Sequence, residues 1–258
     1  MEQRFTFDQI ANVYKTARPD YPEALVDDVL SYADLKQSDR ILEVGCGAGQ
    51  ATKSFAKRGF PILAIDPGPE MLRAAREVLA GFGNVEFLEA TFEAWPANQG
   101  GFRLIIAAQA WHWVSPEIRF AKAAEALSPD GSLAVFGHVP VGLPAPVLAQ
   151  FKDIYLRRTG KWDPPPESWY LPIGPFRGWF DDSRLFGPVE HRQYSWKWRH
   201  TTSSYQDFLR TKSEHRMMET SQREGIIDEI AKVIDDEGGT LTVDYETHLY
   251  IARRLNRN

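Results

Sequence analysis

The chain has 258 residues, and a hydrophobic content of 43% is enough to bury a substantial core as one elaborated domain. Its net charge of −5 and isoelectric point near 5.7 argue against a nucleic-acid-binding protein, which normally carries a basic face. A single cysteine excludes an internal disulfide and fits a reducing compartment. No stretch approaches the roughly 20 apolar residues of a membrane span, and residues 1–4 open no apolar signal segment. We therefore expect a soluble, cytoplasmic protein without a membrane partner.

The N-terminal part of the chain predicts two helices. Residues 5–15 have the apolar spacing of a short amphipathic helix, and two prolines then interrupt it. A second helix is predicted from Pro22, which suits a first helical turn. Tyr14 and Arg18, at the junction, are consistent either with a solvated linker or with a binding site.

A glycine-rich turn follows the first predicted strand, residues 40–44. Its glycines stand at alternate positions, Gly45, Gly47 and Gly49, and a helical segment follows. Such a turn lets the backbone approach a ligand, and the helix start offers unpaired N–H groups. The dinucleotide fingerprint G-x-G-x-x-G is not met, since Gln50 and Thr52 occupy the positions of its third glycine. The spacing is instead E-x-G-x-G-x-G, with Glu43 in front.

The second predicted strand, residues 61–66, ends in a carboxylate. Asp66 can accept hydrogen bonds from both hydroxyls of a ribose, as the acidic residue of dinucleotide-binding proteins does. Alone, the glycine turn is as consistent with a tight turn as with a ligand site. Together with Glu43 and Asp66, it favours a nucleoside-type ligand.

These residues resemble motifs I and II of the class I S-adenosylmethionine (SAM)-dependent methyltransferases. The resemblance extends from about residue 7 to residue 137, and a weaker resemblance is present at the C-terminus. It implies that the three glycines pass under the methionine part of SAM, that Asp66 holds the ribose, and that the product is S-adenosylhomocysteine (SAH). Related methyltransferases often fold the N-terminal segment over the SAM pocket. Arg18 is then a candidate partner of the SAM carboxylate, and Tyr14 of the acceptor.

Strands and helices alternate downstream of the glycine turn. Further strands are predicted at 84–89, 102–108 and 132–136, with a turn at 129–131. This alternation implies a doubly wound parallel sheet in the α/β class. Residues 189–198 and 240–252 predict two closing strands, with helices at 202–213 and 220–236 between them. The resemblance implies a Rossmann-like, seven-stranded, mostly parallel sheet with an antiparallel final strand.

We interpret residues 1–258 as one methyltransferase domain with four parts. These are an N-terminal helical cover (1–33), a SAM-binding core (34–139), an aromatic and proline-rich cap or lid (140–187), and closing strands with a helical insertion (188–258). The cap is too rich in aromatic residues for a disordered linker. Its aromatics suit either a lid or a dimer interface, so both a monomer and a homodimer stay open.

Ligands of a doubly wound sheet lie beyond the carboxyl ends of its strands, so the residues directly after each strand are candidates. Met71 suits the adenine face, although core filling is equally consistent. The resemblance puts Thr91 near the position of the acid or amide that contacts the adenine amine. The candidate cofactor-binding residues at these strand ends are Pro67, Met71, Thr91, Phe92 and Gln109.

Two tryptophans flank a histidine after the fourth strand. Trp111 and Trp113 either pack beneath the cap or shape the acceptor pocket. His112 is either a structural histidine or a catalytic general base or hydrogen-bonding group. A similar A-Q-A-aromatic-H-W signature occurs in a methyltransferase subgroup that includes proteins like trans-aconitate methyltransferase, which implies a small-molecule acceptor. No histidine has the spacing typical of a zinc site, and no G-x-S-x-G elbow indicates a hydrolase.

We therefore expect a SAM-dependent methyltransferase with a small-molecule acceptor and no metal. A carboxylate acceptor needs no base, and His112 with an arginine would orient it, whereas a phenol, amine or activated carbon would use His112 as the base. The main alternative is a SAM-binding or SAM-sensing protein without catalysis. A nicotinamide-dependent oxidoreductase is disfavoured by the glycine spacing. An RNA methyltransferase is disfavoured by the negative net charge of the chain.

Overall fold

The structure is a computed structural model that describes residues 8, 10–97, 101–163 and 166–256, with the backbone alone at residue 166. Part of the helix predicted at residues 5–15 lies outside the described residues. The part that is described forms a helix at Ala11–Ala17.

The described residues contain seven strands and ten α-helices. The strands are β1 (Arg40–Val44), β2 (Ile62–Asp66), β3 (Val85–Glu89), β4 (Phe102–Ala108), β5 (Leu127–Gly142), β6 (Glu190–Thr201) and β7 (Thr240–Arg253). The helices are α1 (Ala11–Ala17), α2 (Glu23–Ala33), α3 (Gln50–Ala56), α4 (Pro69–Val78), α5 (Arg119–Ala126), α6 (Ala145–Thr159), α7 (Phe176–Ser183), α8 (Thr202–Arg210), α9 (Ser213–Arg216) and α10 (Thr220–Asp236). Short 3₁₀ helices lie at Trp111–Trp113 and Pro166–Tyr170.

The strands form one sheet in the order β3-β2-β1-β4-β5-β7-β6. Strands β1 to β5 pair in parallel, and β7 runs antiparallel to both of its neighbours, β5 and β6. The predicted mostly parallel seven-stranded sheet with an antiparallel final strand is confirmed. Because β1 lies between β2 and β4, the strand order reverses there, and a crevice for ligands is expected beyond the carboxyl ends of β1 and β4.

Both faces of the sheet are covered, which explains why its central strands are almost continuously apolar. One face packs Leu42 and Ile105 against residues of α5 and α7. The opposite face packs Ile41 and Ile106 against α2, α3 and α4.

The segment between β5 and β6 is more regular than its proline content predicts. Helix α6 packs with α8 and α10 around Phe151, Phe208 and Ile230, in a cluster of their own. The following residues, by contrast, join the central core through Tyr170 and Phe176. The turn predicted at residues 129–131 is wrong as a separate element, because these residues lie within β5 as a local irregularity with Asp130 at φ +60°.

Candidate functional site

The glycine turn after β1 is tied to the end of β2 by backbone hydrogen bonds. The N–H groups of Gly45 and Cys46 donate to the carbonyl of Ile65, at 2.9 and 3.1 Å. The Asp66 carboxylate extends this link: its Oδ2 accepts the N–H of Gly47 at 2.9 Å and its Oδ1 accepts the N–H of Gly68 at 2.8 Å. The turn and the strand-end acid therefore form one rigid unit.

The charge of Asp66 is poorly solvated. Burial raises the pKa of its carboxyl to about 6, although the two backbone N–H bonds act in the opposite direction and Asp8 adds to the rise. The side chain nonetheless lines an open cleft. A group bound there that donates hydrogen bonds would favour the ionised form.

Two of the turn glycines are required for different reasons. Gly45 has φ +69°, and a Cβ at this position would lie 2.6 Å from Cβ of Ala110, so a side chain would collide with the turn after β4. Gly49 has φ +90°, and its Cβ would lie 2.8 Å from Cδ1 of Leu79. Gly49 thus packs against the end of α4 and does not line any of the cavities described below. The expectation that it passes under a ligand finds no support in this packing.

Glu43 lies fully buried beneath the turn. Neither carboxylate oxygen has a partner with hydrogen-bond geometry among the described residues, and the same is true of the buried Thr52 hydroxyl. Burial raises the pKa of Glu43 to about 8; the nearby Thr52 counteracts this and the Asp66 charge reinforces it. Glu43 is therefore largely protonated at neutral pH.

A main cleft opens at the carboxyl ends of β1, β2 and β4, with about 830 Å³ of empty volume including the space open to solvent. Most predicted cofactor-binding residues meet here, together with two of the predicted acceptor-binding residues. Those lining the cleft are Gly45, Gly47, Asp66, Pro67, Met71, Thr91, Phe92, Gln109, Tyr14 and Trp113. Of these, Phe92 and Met71 are almost fully buried and form apolar walls.

Two smaller cavities share walls with the main cleft. A turn cavity of about 380 Å³ is lined by Arg18, Glu43 and Gln50, among others. A histidine pocket of about 420 Å³ is lined by Tyr14, Arg18, Gln109, His112, Trp113, Glu167, Tyr170 and Ser213. Tyr14 and Gln109 line all three spaces. The three spaces therefore meet at these two side chains.

Gln109 is held in a conformation that non-glycine residues rarely adopt. Its φ is +51°, and its backbone N–H donates to the carbonyl of Phe136 at 2.8 Å. Strain of this kind is concentrated at functional sites, where the surrounding structure imposes it. Here it sets the side chain at the meeting point of the cavities.

His112 is half-buried in the histidine pocket. Its Nδ1 lies 3.5 Å from the Tyr170 hydroxyl, and its ring packs beside Trp113 at 4.8 Å between centres. Burial lowers the pKa of His112 to about 4, with Arg119 acting in the same direction and Glu167 opposing it. The imidazole is therefore neutral at physiological pH and can accept a proton or a hydrogen bond.

Trp111 does not line these cavities, contrary to its predicted role in the acceptor site. It is fully buried in the core, with its ring 5.8 Å from Phe92 and 5.7 Å from Phe120. The 3₁₀ turn at Trp111–Trp113 explains the difference, because it directs Trp111 inward and leaves Trp113 at the cleft.

Arg18 lines both smaller cavities but is already engaged. Its Nε donates to Oγ1 of Thr211 at 2.9 Å and its Nη2 to the carbonyl of the same residue at 2.7 Å. Its guanidinium also stacks at 5.1 Å from the rings of Tyr14 and Phe208. Arg18 therefore joins α1 to the end of α8 beside the pocket.

Sequence reasoning missed four charged residues at this site. Oδ1 of Asp8 accepts the N–H groups of Glu70 and Met71, at 2.7 and 3.1 Å, and so caps α4 at the cleft. Behind the histidine pocket, Nζ of Lys212 lies 3.4 Å from Glu167 and 2.9 Å from Glu214. Burial alone would lower the pKa of Lys212, but these two carboxylates raise it. No local motif marks these residues, because Asp8 contacts Glu70 and Met71 and Lys212 contacts Glu167 across long separations in sequence.

Within the described ranges, no group of three or more His, Cys, Asp or Glu side chains is arranged to hold a metal ion. None of the helices in these ranges is long and apolar enough to cross a membrane.

Comparison with known proteins agrees with this architecture. Residues 41–131 match the family described as a methyltransferase domain. Over these residues the chain is similar to methyltransferase domains, and the predicted resemblance to the class I methyltransferases is confirmed. The match covers the glycine turn and Asp66 at the main cleft, and His112 in the histidine pocket.

Curated relatives match part of the chain. An uncharacterized methyltransferase of Mycobacterium tuberculosis is 32% identical over 134 residues, which cover 52% of each chain. A trans-aconitate 2-methyltransferase of Rhodopseudomonas palustris is 33% identical over 112 residues, 42% of each chain. The chain spans about half the length of the curated relatives that it matches.

Solved structures share the fold over nearly the whole chain. A candidate type II methyltransferase from Anaeromyxobacter dehalogenans superposes with a TM-score of 0.65 at 22% identity, covering 92% of this chain and 97% of its own. A phosphoethanolamine N-methyltransferase of Haemonchus contortus, in complex with SAH and phosphomonomethylethanolamine, superposes with a TM-score of 0.56 at 12% identity. The superposition covers 96% of this chain and 58% of the other chain.

Proposed function

We propose that this protein is a SAM-dependent methyltransferase that acts on a small-molecule acceptor. The observation that carries the proposal is the junction of the three cavities at Tyr14 and Gln109. A cofactor in the main cleft and the turn cavity would end beside the histidine pocket. An acceptor in that pocket would then face the transferred group.

The residues around the cleft suit SAM chemically. Asp66 offers carboxylate oxygens at the end of β2, where a ribose would donate hydrogen bonds. Gly45 leaves no side chain at a point where the backbone borders both the main cleft and the turn cavity. Met71 and Phe92 supply apolar walls for a purine, and Arg18 supplies a cation at the turn cavity for a carboxylate.

SAM supplies, when bound, a methyl group on a good leaving group. The protein then has to align the acceptor and exclude water. We propose that α1 and the segment from residue 140 to residue 187 provide this cover. Lys15 of α1 pairs with Glu77 of α4 at 2.9 Å, and Asp8 caps α4, so the N-terminal segment is fastened across the cleft.

The acceptor is, on this proposal, a small carboxylate. A carboxylate is ionised at neutral pH and needs no base, which agrees with the neutral His112, whose pKa of about 4 makes it a weak base. His112 would donate or accept a hydrogen bond that orients the acceptor. The similarity to a trans-aconitate 2-methyltransferase, which is 33% identical over 112 residues, supports this choice.

Transfer of label from methyl-tritiated SAM tests the proposal. The purified chain is incubated with a panel of di- and tricarboxylic acids and, separately, with phenols and amines. Label recovered as base-labile methyl ester supports a carboxylate acceptor, whereas label on a phenol or amine would overturn that part. SAM binding without transfer to any acceptor class would favour the non-catalytic alternative.

A further inference from the structure

Arg119 is a buried arginine without an ion pair to any of the described residues. It is the first residue of α5 and is only 4% exposed. Among the described residues it has no hydrogen bond to its guanidinium and no ion pair within 4.0 Å, and its Nε is buried without a partner. Burial lowers the pKa of Arg119. An unpaired buried charge is costly, so such a residue calls for an explanation.

Aromatic rings surround the guanidinium and compensate this cost in part. Its central carbon lies 3.8 Å from the centre of the Trp179 ring and 5.5 Å from that of Phe120. The carboxylate of Glu117 raises the pKa of Arg119, but it is exposed and accepts a hydrogen bond from the Ser115 hydroxyl. The surroundings thus hold a cation between aromatic rings, and no anion of the described residues is in contact with it.

A chain of ring contacts connects Arg119 with the histidine pocket. Trp179 packs edge-on against Trp169 at 6.1 Å, and Trp169 packs edge-on against His112 at the same distance. The Arg119 charge is close enough to lower the pKa of His112. Trp169 itself is 47% exposed, so part of its ring faces solvent. Arg18, which lines the pocket, already donates two hydrogen bonds to Thr211.

Building on the proposed function, we infer that Arg119 binds an anionic group of the acceptor, where Trp179 and Trp169 connect it with the histidine pocket. The group is a carboxylate or a phosphomonoester, since both match the planar fork of a guanidinium. Entry would require the Trp169 ring to turn toward solvent. Arg119 would then select acceptors with a second anionic group over otherwise similar neutral ones.

The test measures the thermal unfolding midpoint of the whole chain, with and without SAH, at constant ionic strength. The probes are succinate, glycerol 1-phosphate and the neutral diamide succinamide. A ligand that binds the native state raises the midpoint in a saturable way. The variants are R119M, which removes the charge, and R119K, which keeps it without the fork. R199M is the matched control, because Arg199 lies on β6, is exposed and lines none of the three cavities.

We expect one of the anions, and not succinamide, to stabilise the wild type and R199M. In R119M the apparent affinity for that anion should fall by at least about tenfold, and R119K should lie between the two. Which anion acts distinguishes the carboxylate from the phosphomonoester. Equal responses in wild type and R119M, or no response of the wild type to either anion, would overturn the inference. If R119M does not fold, as judged by its unfolding transition, R119K decides in the same way.

Failure of the proposed function would look different. In that case SAH would not raise the thermal unfolding midpoint of the wild type, whether or not the anions raise it. A purely structural role of Arg119 is also separable, since R119M would then shift the midpoint equally with and without the anion.

Discussion

The carboxylate of Asp66 accepts the backbone N–H of Gly47 at 2.9 Å, across the gap between the end of β2 and the turn after β1. This bond connects the two parts of the cleft that a nucleoside cofactor would touch. A change at Asp66 should therefore affect the shape of the glycine turn as well as the contact with the cofactor.

Asp66→Asn should weaken the binding of SAH by about 1–3 kcal/mol, because an amide offers one acceptor oxygen where the carboxylate offers two. Calorimetric titration measures the loss. Asp182→Asn, at an exposed position outside the three cavities, is the matched control and should bind as the wild type does.

The same carboxylate predicts a pH dependence of binding. Its pKa of about 6 means that protonation removes acceptor capacity as the pH falls below that value. The affinity of the wild type for SAH should therefore decrease from pH 7 to pH 5, whereas Asp66→Asn should show a flatter profile. Parallel profiles of the two proteins would contradict the assignment.

The raised pKa of Glu43 predicts that the stability of the folded protein depends on pH. Its pKa in the folded state, about 8, is above the ordinary value of 4.5, so the folded protein binds this proton more tightly than the unfolded chain. The contribution is fully present below pH 4.5 and is lost as the pH rises through about 8. Urea unfolding should show the wild type losing stability relative to Glu43→Gln over this window. A constant difference between the two proteins would show that Glu43 does not hold its proton.

Gly45→Ala should destabilise the fold by about 1–3 kcal/mol, since it combines a positive φ with a collision. The new Cβ would lie 2.6 Å from Cβ of Ala110. Gly81→Ala is the control, because a Cβ there meets nothing within 4 Å. Urea unfolding compares the two variants, and equal midpoints would show that the turn relaxes at little cost.

His112→Gln separates two roles of this residue. If His112 removes a proton from the acceptor, kcat should fall by about 100-fold or more at unchanged SAH affinity. If it only orients a carboxylate, the larger effect should be on KM of the acceptor. Steady-state kinetics on an acceptor found in the labelling screen distinguish these cases. Wild-type values of both kcat and KM would remove His112 from the site.

The spacing of residues in the sequence is sufficient to predict those parts of the site that are formed by residues close together in the chain. The glycine turn and Asp66 belong to this group, since a strand, a tight turn and a strand-end acid each leave a short pattern. The same patterns gave the order of strands and helices through β5. Spacing alone predicts a ligand contact for Gly49 as it does for Gly45 and Gly47. It does not distinguish a glycine that lines a cleft from one that packs against the end of a helix.

The remaining parts depend on contacts between remote residues. Arg18 bonds to Thr211, which is 193 positions away, and Lys212 lies beside Glu167 at a separation of 45 positions. Trp111 and Trp113 are two positions apart, yet the 3₁₀ turn places one in the core and the other at the cleft. No periodicity in the sequence encodes either kind of relation.

Calorimetric titration of the purified chain with SAM, SAH and NAD⁺ tests the central claim most directly. We expect saturable binding of SAM and SAH at one site per chain and none of NAD⁺, with the affinity for SAH reduced by Asp66→Asn. If neither SAM nor SAH binds, or NAD⁺ binds in their place, the cleft between the glycine turn and Asp66 does not serve a SAM-dependent methyltransferase.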